Sequence, residues 1–390
     1  MKIAFVHDRL YYIAWAEQVF FEMIEDRIKN ADKSESLAIF TMFSDKHFLI
    51  IDARKIPIIT ALPRWIFSTF VFFDKYKTPL FSKIFDYRNL MFFYPLLINR
   101  LRKKINAFHT DEVHISSFAV AKNVLPLSSK KINSKNSTSK TFLRLQSPFM
   151  YIHNHFASNL AKLKFPIKQI YQFAASYLKP RDLQAREYTN MSTNSKYTSS
   201  LVKKIYGIAE STIEYPKLDN NFFTPAIQSQ RSDYFVFVGR LVTFSKQVDT
   251  IIKAFNKLNI HLKIIGSGPD EQYLKSIADS NIEFLGRMSD AARKAEIIWK
   301  AQGLVNITLE SFGYVTAESL CVGTPVIGYN EGATVELIDS DLDGILIASQ
   351  TEEELITAIK AFQDRKWNYN QIGESARAKF EASTLKFELN

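Results

Sequence analysis

Two glutamates frame a glycine turn in Glu310-Ser-Phe-Gly-Tyr-Val-Thr-Ala-Glu318-Ser-Leu-Cys-Val-Gly-Thr-Pro-Val-Ile327, the stretch that decides the fold. Residues 303–307 before it form a short apolar run that predicts a strand, and residues 313–322 are predicted to form a helix. A second apolar run follows at 325–329. Strands that alternate with helices predict a doubly wound parallel sheet, and ligands of such sheets bind at the carboxyl ends of the strands. Glu310 falls at that edge.

The chemistry of this stretch suits a nucleotide sugar. The start of a helix offers free backbone N–H groups and the positive end of a dipole, which favour a phosphate. Ionised carboxylates only accept hydrogen bonds, so Glu310 and Glu318 suit the hydroxyl groups of two sugars. The alternative is that Glu318 is an ordinary solvated residue of the helix, as charged residues usually are.

A second motif lies upstream, where an apolar strand over 234–238 ends in Gly239-Arg240 and Lys246 precedes a helix over 249–258. Two cations at the end of a strand can neutralise a diphosphate, above all when it gains charge as a leaving group. The alternative is that both are solvated loop residues.

Two further strands, over 261–265 and 282–285, also end in glycine turns. The first is followed by Gly266-Ser-Gly268, which lacks the full dinucleotide-binding fingerprint and so disfavours an oxidoreductase. The second is followed by Gly286-Arg287-Met288.

In order and spacing, these motifs resemble the C-terminal half of family 4 glycosyltransferases, which are retaining, nucleotide-sugar-dependent enzymes of the GT-B architecture. The resemblance implies two Rossmann-like domains that face each other across a cleft, and no metal or other cofactor. It also implies catalytic roles for Arg240, Lys246 and Glu310. The donor, a GDP or UDP sugar, is expected to contact Gly239, Gly266, Gly268, Gly286, Arg287, Met288, Phe312, Gly313, Tyr314 and Glu318.

The N-terminal half resembles the family less closely, and within it bacterial surface-polysaccharide mannosyltransferases most. Ala14-Trp15 stands where the family usually has a glycine pair that lets the backbone approach the donor. Gln146 stands where the family often has a histidine. A glutamine can bind a hydroxyl but cannot carry a proton at neutral pH. A catalytically degenerate relative that binds nucleotide, glycan or a protein partner is therefore the alternative to a working enzyme.

The domain organisation follows from the same patterns. We expect an acceptor-side domain over 1–220, a nucleotide-sugar domain over 221–370, and a helix over 371–390. By resemblance, that last helix crosses back to the first domain. The polar stretch 127–140 is predicted to be a loop.

Charge is concentrated in one part of the chain. The net charge is +10, and most of the excess lies between Arg54 and Lys104, among many aromatic residues. This composition predicts either an anionic membrane surface as partner or the core face of helices. No nucleic-acid-binding module accompanies it, so nucleic acid is disfavoured.

The remaining composition indicates a cytoplasmic protein, peripheral at most on the inner face of the membrane. The single cysteine, Cys321, excludes an internal disulfide framework. The first residues do not have the pattern of a signal peptide, and the longest apolar run, 90–98, is too short to span a bilayer.

Overall fold

The computed structural model describes residues 1–11, 15–29, 31, 32, 34–75, 93–125, 140–149, 152, 153, 156, 160, 165, 167–188, 190–223, 231–383 and 387–389. The chain forms two compact units. Unit 1 comprises residues 1–194, 198–214 and 385–390, and unit 2 comprises residues 195–197 and 215–384. The predicted α/β class is confirmed.

Unit 1 is built on a mixed sheet. Its strands are β1 (Lys2–His7), β2 (Ser36–Thr41), β3 (Phe48–Ile51), β4 (Arg54–Thr60), β5 (Glu112–Ser117), β6 (Lys140–Leu145), β7 (Met191–Thr193), β8 (Thr212–Ile213) and β17 (Phe387–Leu389). Its helices are α1 (Trp15–Lys29), α2 (Arg64–Lys75), α3 (Tyr94–Phe108), α4 (Ile167–Asp182) and α5 (Lys196–Tyr206), and the first turn of α5 is grouped with unit 2. Short 3-10 turns cover Ala121–Val124 and Leu183–Glu187.

Within the described residues the strand order of this sheet is β17-β3-β4-β2-β1-β5-β6-β7-β8. The central strand β1 pairs in parallel with β2 and β5. Its residues from Ile3 to Val6 are fully buried. Strands of a parallel sheet that are covered on both faces have near-continuous apolar sequences, which is why this strand could be predicted from its residues alone.

Unit 2 contains a wholly parallel sheet. Its strands are β10 (Tyr234–Val238), β11 (His261–Ile265), β12 (Ile282–Gly286), β13 (Gly303–Asn306), β14 (Val326–Tyr329) and β15 (Gly344–Ile347). Its helices are α6 (Thr243–Lys246), α7 (Val248–Leu258), α8 (Glu271–Ile277), α9 (Ala291–Lys300), α10 (Tyr314–Cys321), α11 (Thr334–Leu337), α12 (Glu352–Asp364) and α13 (Tyr369–Lys379). A small pair, β9 (Leu218–Asp219) with β16 (Ala382–Ser383), and a 3-10 turn at Asn220–Phe222 complete the unit.

In the described part of unit 2 the strand order is β12-β11-β10-β13-β14-β15. The chain runs outward from β10 through β11 to β12, and it then returns to place β13 on the other side of β10. The direction of winding therefore reverses between β10 and β13. In open parallel sheets this switch point leaves a crevice at the carboxyl ends of the two strands, and ligands bind there.

The end of the chain differs from the predicted single helix over 371–390. Helix α13 ends at Lys379, and the chain then forms β16 in unit 2 and β17 in unit 1. Strand β17 pairs antiparallel with β3 and continues the sheet of unit 1. Such short strands are stabilised by distant partners, so the local sequence pattern does not reveal them.

The aromatic residues of the Arg54–Lys104 region divide between the core and the surface, so the core expectation is met only for some of them, and the membrane surface stays a prediction. Phe67 and Tyr94 are buried in the core of unit 1, whereas Trp65, Phe72 and Phe93 are exposed. Residues 76–92 of this region and the predicted loop up to residue 139 lie outside the described residues. None of the helices in the described ranges is long and apolar enough to cross a bilayer.

A buried carboxylate before β15 makes the stability of unit 2 depend on pH. Asp343 is fully buried, and burial raises its pKa from 3.8 to about 6. The unfolded chain therefore loses this proton at lower pH than the folded chain, so the contribution of Asp343 to stability falls as pH rises from about 4 to about 6.

We expect Asp343→Asn to unfold like the parent protein at pH 4 but to be more stable at pH 8, by up to about 3 kcal/mol. The amide keeps the oxygen that accepts the backbone N–H of Asp339, at 2.7 Å. Urea unfolding of both proteins at the two pH values measures the difference. An equal difference at pH 4 and pH 8 would contradict the assignment.

Candidate active site

The carboxyl ends of β10, β11 and β12 are joined by backbone hydrogen bonds beyond the strands. The N–H of Gly239 donates to the carbonyl of Ile265 at 3.0 Å, and that of Gly266 to the carbonyl of Gly286 at 2.8 Å. A methyl group at Gly266 would overlap the carbonyl oxygen of Gly239, and one at Gly268 would overlap the carbonyl of Leu241. These two glycines let adjacent loops approach closely at the sheet edge.

Gly266→Ala is expected to destabilise unit 2 by about 3 kcal/mol or more, because backbone must move to admit the methyl group. Gly286→Ala is the matched control. Gly286 has a positive φ of 72° but nothing within 4 Å of the added methyl group, so it should lose only about 1–2 kcal/mol. Urea unfolding of the two variants tests whether Gly266→Ala is the less stable one. Equal losses of unfolding free energy would show that the backbone near Gly266 moves at little cost.

The switch point is occupied by an ion pair. Lys246, the last residue of α6, donates from Nζ to Oε1 of Glu310, which follows β13. About a fifth of each side chain remains exposed, so solvent and solutes can reach the pair. The Lys246 ammonium is thus already neutralised by a carboxylate in this structure, a pairing that the sequence did not predict.

Glu310 is held by a chain of buried hydroxyl and amide groups. Thr308 donates from Oγ1 to Glu310 at 2.8 Å and lies 2.7 Å from Oδ1 of Asn306. The amide of Asn306 donates to Oγ1 of Thr316 on α10 at 3.1 Å. Sequence reasoning missed these three residues. The signal was present, because Asn306 and Thr308 are buried polar residues at the end of the apolar strand β13 and directly after it.

Lys246 is positioned by the start of its own helix. The backbone N–H and the hydroxyl of Thr243 both donate to Oδ2 of Asp270, at 2.8 and 2.9 Å. Gln247 then adopts a left-handed conformation that ends α6 and begins α7. The one-turn helix that carries Lys246 is therefore fixed at both ends.

The loop between Glu310 and α10 turns at Gly313, whose φ is 91°. Phe312 is buried and packs in an aromatic cluster with Tyr215, Tyr314 and Phe380, with ring centroids 5.0–6.0 Å apart. The side chain of Phe312 thus anchors the loop, and the backbone of 312–313 remains the part that can meet a ligand.

Glu318 is a buried residue of α10, not a solvated one. Its two carboxylate oxygens each lie 3.1 Å from Nζ of Lys294 on α9. Burial raises the pKa of Glu318, and the Lys294 ammonium opposes that rise. Lys294 was also missed, because it lies 24 residues upstream and nothing local indicates the pairing.

The remaining predicted donor contacts are more open. Arg240 and Arg287, which follow β10 and β12, are exposed, and Met288 is half-buried. No side chain in the described ranges forms an ion pair with either arginine. Arg240 thus lies between β10 and α6 with no carboxylate partner in the described part of the chain.

In unit 1, Gln146 lies at the carboxyl end of β6 and is buried. Its amide donates to the carbonyl of Ala16 at 2.9 Å and to the hydroxyl of Ser116 at 2.7 Å. Gln146 therefore ties the start of α1 to the end of β5. Trp15 is the half-buried first residue of α1, and Ala14 lies outside the described residues.

Asp8, directly after β1, organises the loop that follows β5. Its carboxylate accepts the hydroxyl of Ser117 at 3.2 Å and four successive backbone N–H groups, from Phe118 to Ala121, at 2.6–3.1 Å. Neighbouring His7 is fully buried and contacts the carbonyl of Ser116 through Nδ1 at 2.9 Å. The polar residues at the end of β1 thus shape the carboxyl edge of this sheet.

Comparison with solved structures defines the class of fold. The sucrose-phosphate synthase of Thermosynechococcus elongatus superposes with a TM-score of 0.68 at 14% identity, over 97% of this chain and 95% of that one. HepE of Anabaena, solved with UDP and glucose, has a TM-score of 0.63 at 15% identity, over 98% and 96%. The fold is that of GT-B glycosyltransferases, as predicted.

The family match lies within unit 2. Residues 232–364 match the family described as Glycosyl transferases group 1. An uncharacterized glycosyltransferase of Methanocaldococcus jannaschii is 30% identical over 131 residues, which make up 31% of this chain and 33% of that protein. The match thus spans about a third of this curated relative. The ion pair of Lys246 with Glu310 and that of Lys294 with Glu318 both lie within residues 232–364, the segment that matches the family.

Proposed function

We propose that this protein is a glycosyltransferase that moves a hexose from a nucleotide diphosphate sugar to a lipid-linked or polysaccharide acceptor, with retention at the anomeric carbon. The observation that carries the proposal is the pair of Lys246 and Glu310 at the switch point of unit 2. A cation and a carboxylate side by side suit the diphosphate and the sugar hydroxyls of one donor.

Each side chain then has a distinct task. Arg240 and Lys246 stabilise the diphosphate, Glu310 exchanges its lysine partner for sugar hydroxyls, and Glu318 accepts the ribose hydroxyls beside Lys294. Gly239, Gly266 and Gly268 let backbone approach the phosphates, and Phe312 to Tyr314 present backbone to the sugar. Gly286 to Met288 line the base pocket.

In the transfer step, the bond from the anomeric carbon to the phosphate oxygen breaks, and its electron pair leaves on the nucleoside diphosphate. The acceptor hydroxyl oxygen forms the new bond on the same face of the sugar, and its proton passes to the departing phosphate. The two cations stabilise the charge that develops on that phosphate. We propose that no metal cofactor is needed, so activity should persist in EDTA.

Mannose from a GDP donor is the favoured hexose, by resemblance to surface-polysaccharide mannosyltransferases. A UDP sugar is the alternative donor, because HepE was solved in complex with UDP and glucose. Incubation of the purified full-length chain with GDP and UDP hexoses, followed by detection of released nucleoside diphosphate and transferred sugar, tests the proposal. Donor binding without any turnover would instead support a degenerate relative.

We propose that unit 1 docks on the inner face of a membrane that carries anionic lipids, where a lipid-linked acceptor would be found. Helix α4 exposes Ile170, Phe173 and Tyr177 together with Lys179 and Arg181. Exposed aromatic residues beside cations suit the interface of an anionic bilayer.

Phe173→Gln should therefore reduce sedimentation of the protein with phosphatidylglycerol vesicles several-fold. Tyr273→Gln, on α8 of unit 2 and similarly exposed, should not. Added salt should release the parent protein, because screening weakens surface attraction. Equal binding by both variants would show that α4 does not dock.

A further inference from the structure

Unit 1 contains a cavity of about 220 Å³ that the proposed catalytic residues do not line. It lies between α3, the turn at Ala121–Val124, Phe149 and α4, beside the carboxyl ends of β5 and β6. Its volume is below the roughly 300–1,000 Å³ that drug-sized ligands occupy. The cavity therefore suits a single small ring and not a nucleotide.

One wall is fixed by a buried charge network. The carboxylate of Asp182 accepts from Nζ of Lys122 at 2.7 Å, from the hydroxyl of Tyr206 at 2.7 Å and from His153 at 2.8 Å. Asp182 and Lys122 are almost wholly buried. Because Lys122 balances Asp182, this wall is rigid and nearly neutral, and it does not need a ligand to neutralise it.

Asn123, by contrast, has an unmet hydrogen-bond acceptor. It is 7% exposed and lines the cavity. Its amide nitrogen lies 3.4 Å from Oδ1 of Asp182, so the nitrogen must face that carboxylate and the amide cannot usefully flip. Its Oδ1 has no hydrogen-bond partner among the described residues. A ligand that donates from a hydroxyl group would meet this acceptor.

The cavity is also positively charged. Arg102 and Arg181 both line it. Arg102 donates to backbone carbonyls from Asn123 to Leu125 and to the side chain of Asn99, so its guanidinium is held in place at the cavity wall. Arg181 is exposed and stacks over the ring of Tyr177 at 3.9 Å. Among the described residues its hydrogen bond runs from Nη1 to the carbonyl of Tyr177 alone. Its other N–H groups remain available to an anion.

We propose that this cavity binds one sugar unit that bears a carboxylate or a phosphate. The apolar side chains of Ile98, Phe149 and Leu178 face the ring, Oδ1 of Asn123 accepts a hydroxyl, and Arg181 binds the anionic group. The inference rests on the proposed function in one respect, namely that such a unit would be the end of the acceptor.

The test measures binding of small sugars to the full-length protein without nucleotide, by saturation-transfer NMR. D-glucuronate and α-D-glucose 1-phosphate should bind, and methyl α-D-glucoside should bind at least about tenfold more weakly, because it lacks the charge-assisted contact. Arg181→Gln should weaken the binding of the two anionic sugars by a similar factor. Lys179→Gln, which removes an equal charge from the same helix outside the cavity, should leave the binding of all three sugars unchanged.

Asn123→Ala should weaken the binding of all three sugars. Circular dichroism of each variant shows whether it is still folded. The proposal is overturned if none of the sugars binds, if Lys179→Gln matches Arg181→Gln, or if inorganic phosphate binds as well as the sugar phosphate. Release of nucleoside diphosphate from the donor in water should be unchanged in Arg181→Gln. If the parent protein uses the donor but binds none of the sugars, the cavity proposal alone is refuted. Sugar binding without donor use would refute only the proposed transfer.

Discussion

Glu310→Ala and Lys246→Ala are each expected to lower sugar transfer at least about 100-fold, the usual cost of removing one group that stabilises developing charge. The two side chains contact one another directly. Each variant therefore leaves its former partner without a counter-charge in the ligand-free state. The double variant should be about as inactive as either single one, because residues that act as a unit are not additive.

The measurement is the rate of transfer at saturating donor, with urea unfolding as a check on the fold. Lys253→Ala is the matched control, because Lys253 forms an exposed pair with Asp249 on the adjacent helix α7. That variant should retain the parent rate. Parent-like transfer by Glu310→Ala or Lys246→Ala would refute the roles assigned to the switch point.

Asp182→Ala is expected to destabilise unit 1 by about 3–5 kcal/mol, because it leaves Lys122 as a buried charge without a counter-ion. Burial alone would raise the pKa of Asp182, but the Lys122 ammonium, with His153 and Tyr206, lowers this pKa to about 2. The stabilisation is therefore present above pH 4 and is lost as pH falls toward 2.

Glu271→Ala provides the comparison, since Glu271 forms an exposed i,i+4 pair with Lys275 on α8. Such surface pairs contribute less than about 1 kcal/mol. Urea unfolding at pH 7 should separate the two variants clearly. Losses of similar size would mean that Lys122 finds a new partner or solvent when Asp182 is removed.

The strands of unit 2 could be predicted from the sequence to within about one residue. Each strand is a short apolar run, because strands of a parallel sheet are buried on both faces. A glycine or polar turn marks where each run ends. The sheet edge that holds Glu310 followed from the same pattern. Gly266 and Gly268 were predicted as donor contacts. In the structure each of them also packs against the backbone of the preceding loop, where a larger residue would not fit.

Partnerships across the fold could not be predicted in this way. Glu310 pairs with Lys246, which lies 64 residues away, and Glu318 pairs with Lys294 on a different helix. Nothing in the local sequence indicates which cation reaches which carboxylate. The Lys122–Asp182 network and the strand β17 likewise depend on contacts between residues far apart in the sequence, and they were missed for the same reason.

The central claim is that a nucleotide sugar binds at the switch point of unit 2. Hydrogen exchange of the full-length protein, followed by mass spectrometry with and without saturating GDP-mannose or UDP-glucose, tests that claim most directly. One of the two donors should slow exchange in peptides that span 239–247 and 310–318, and not in those that span α12. Protection confined to other segments, or a donor that binds without protecting these two, would contradict the account.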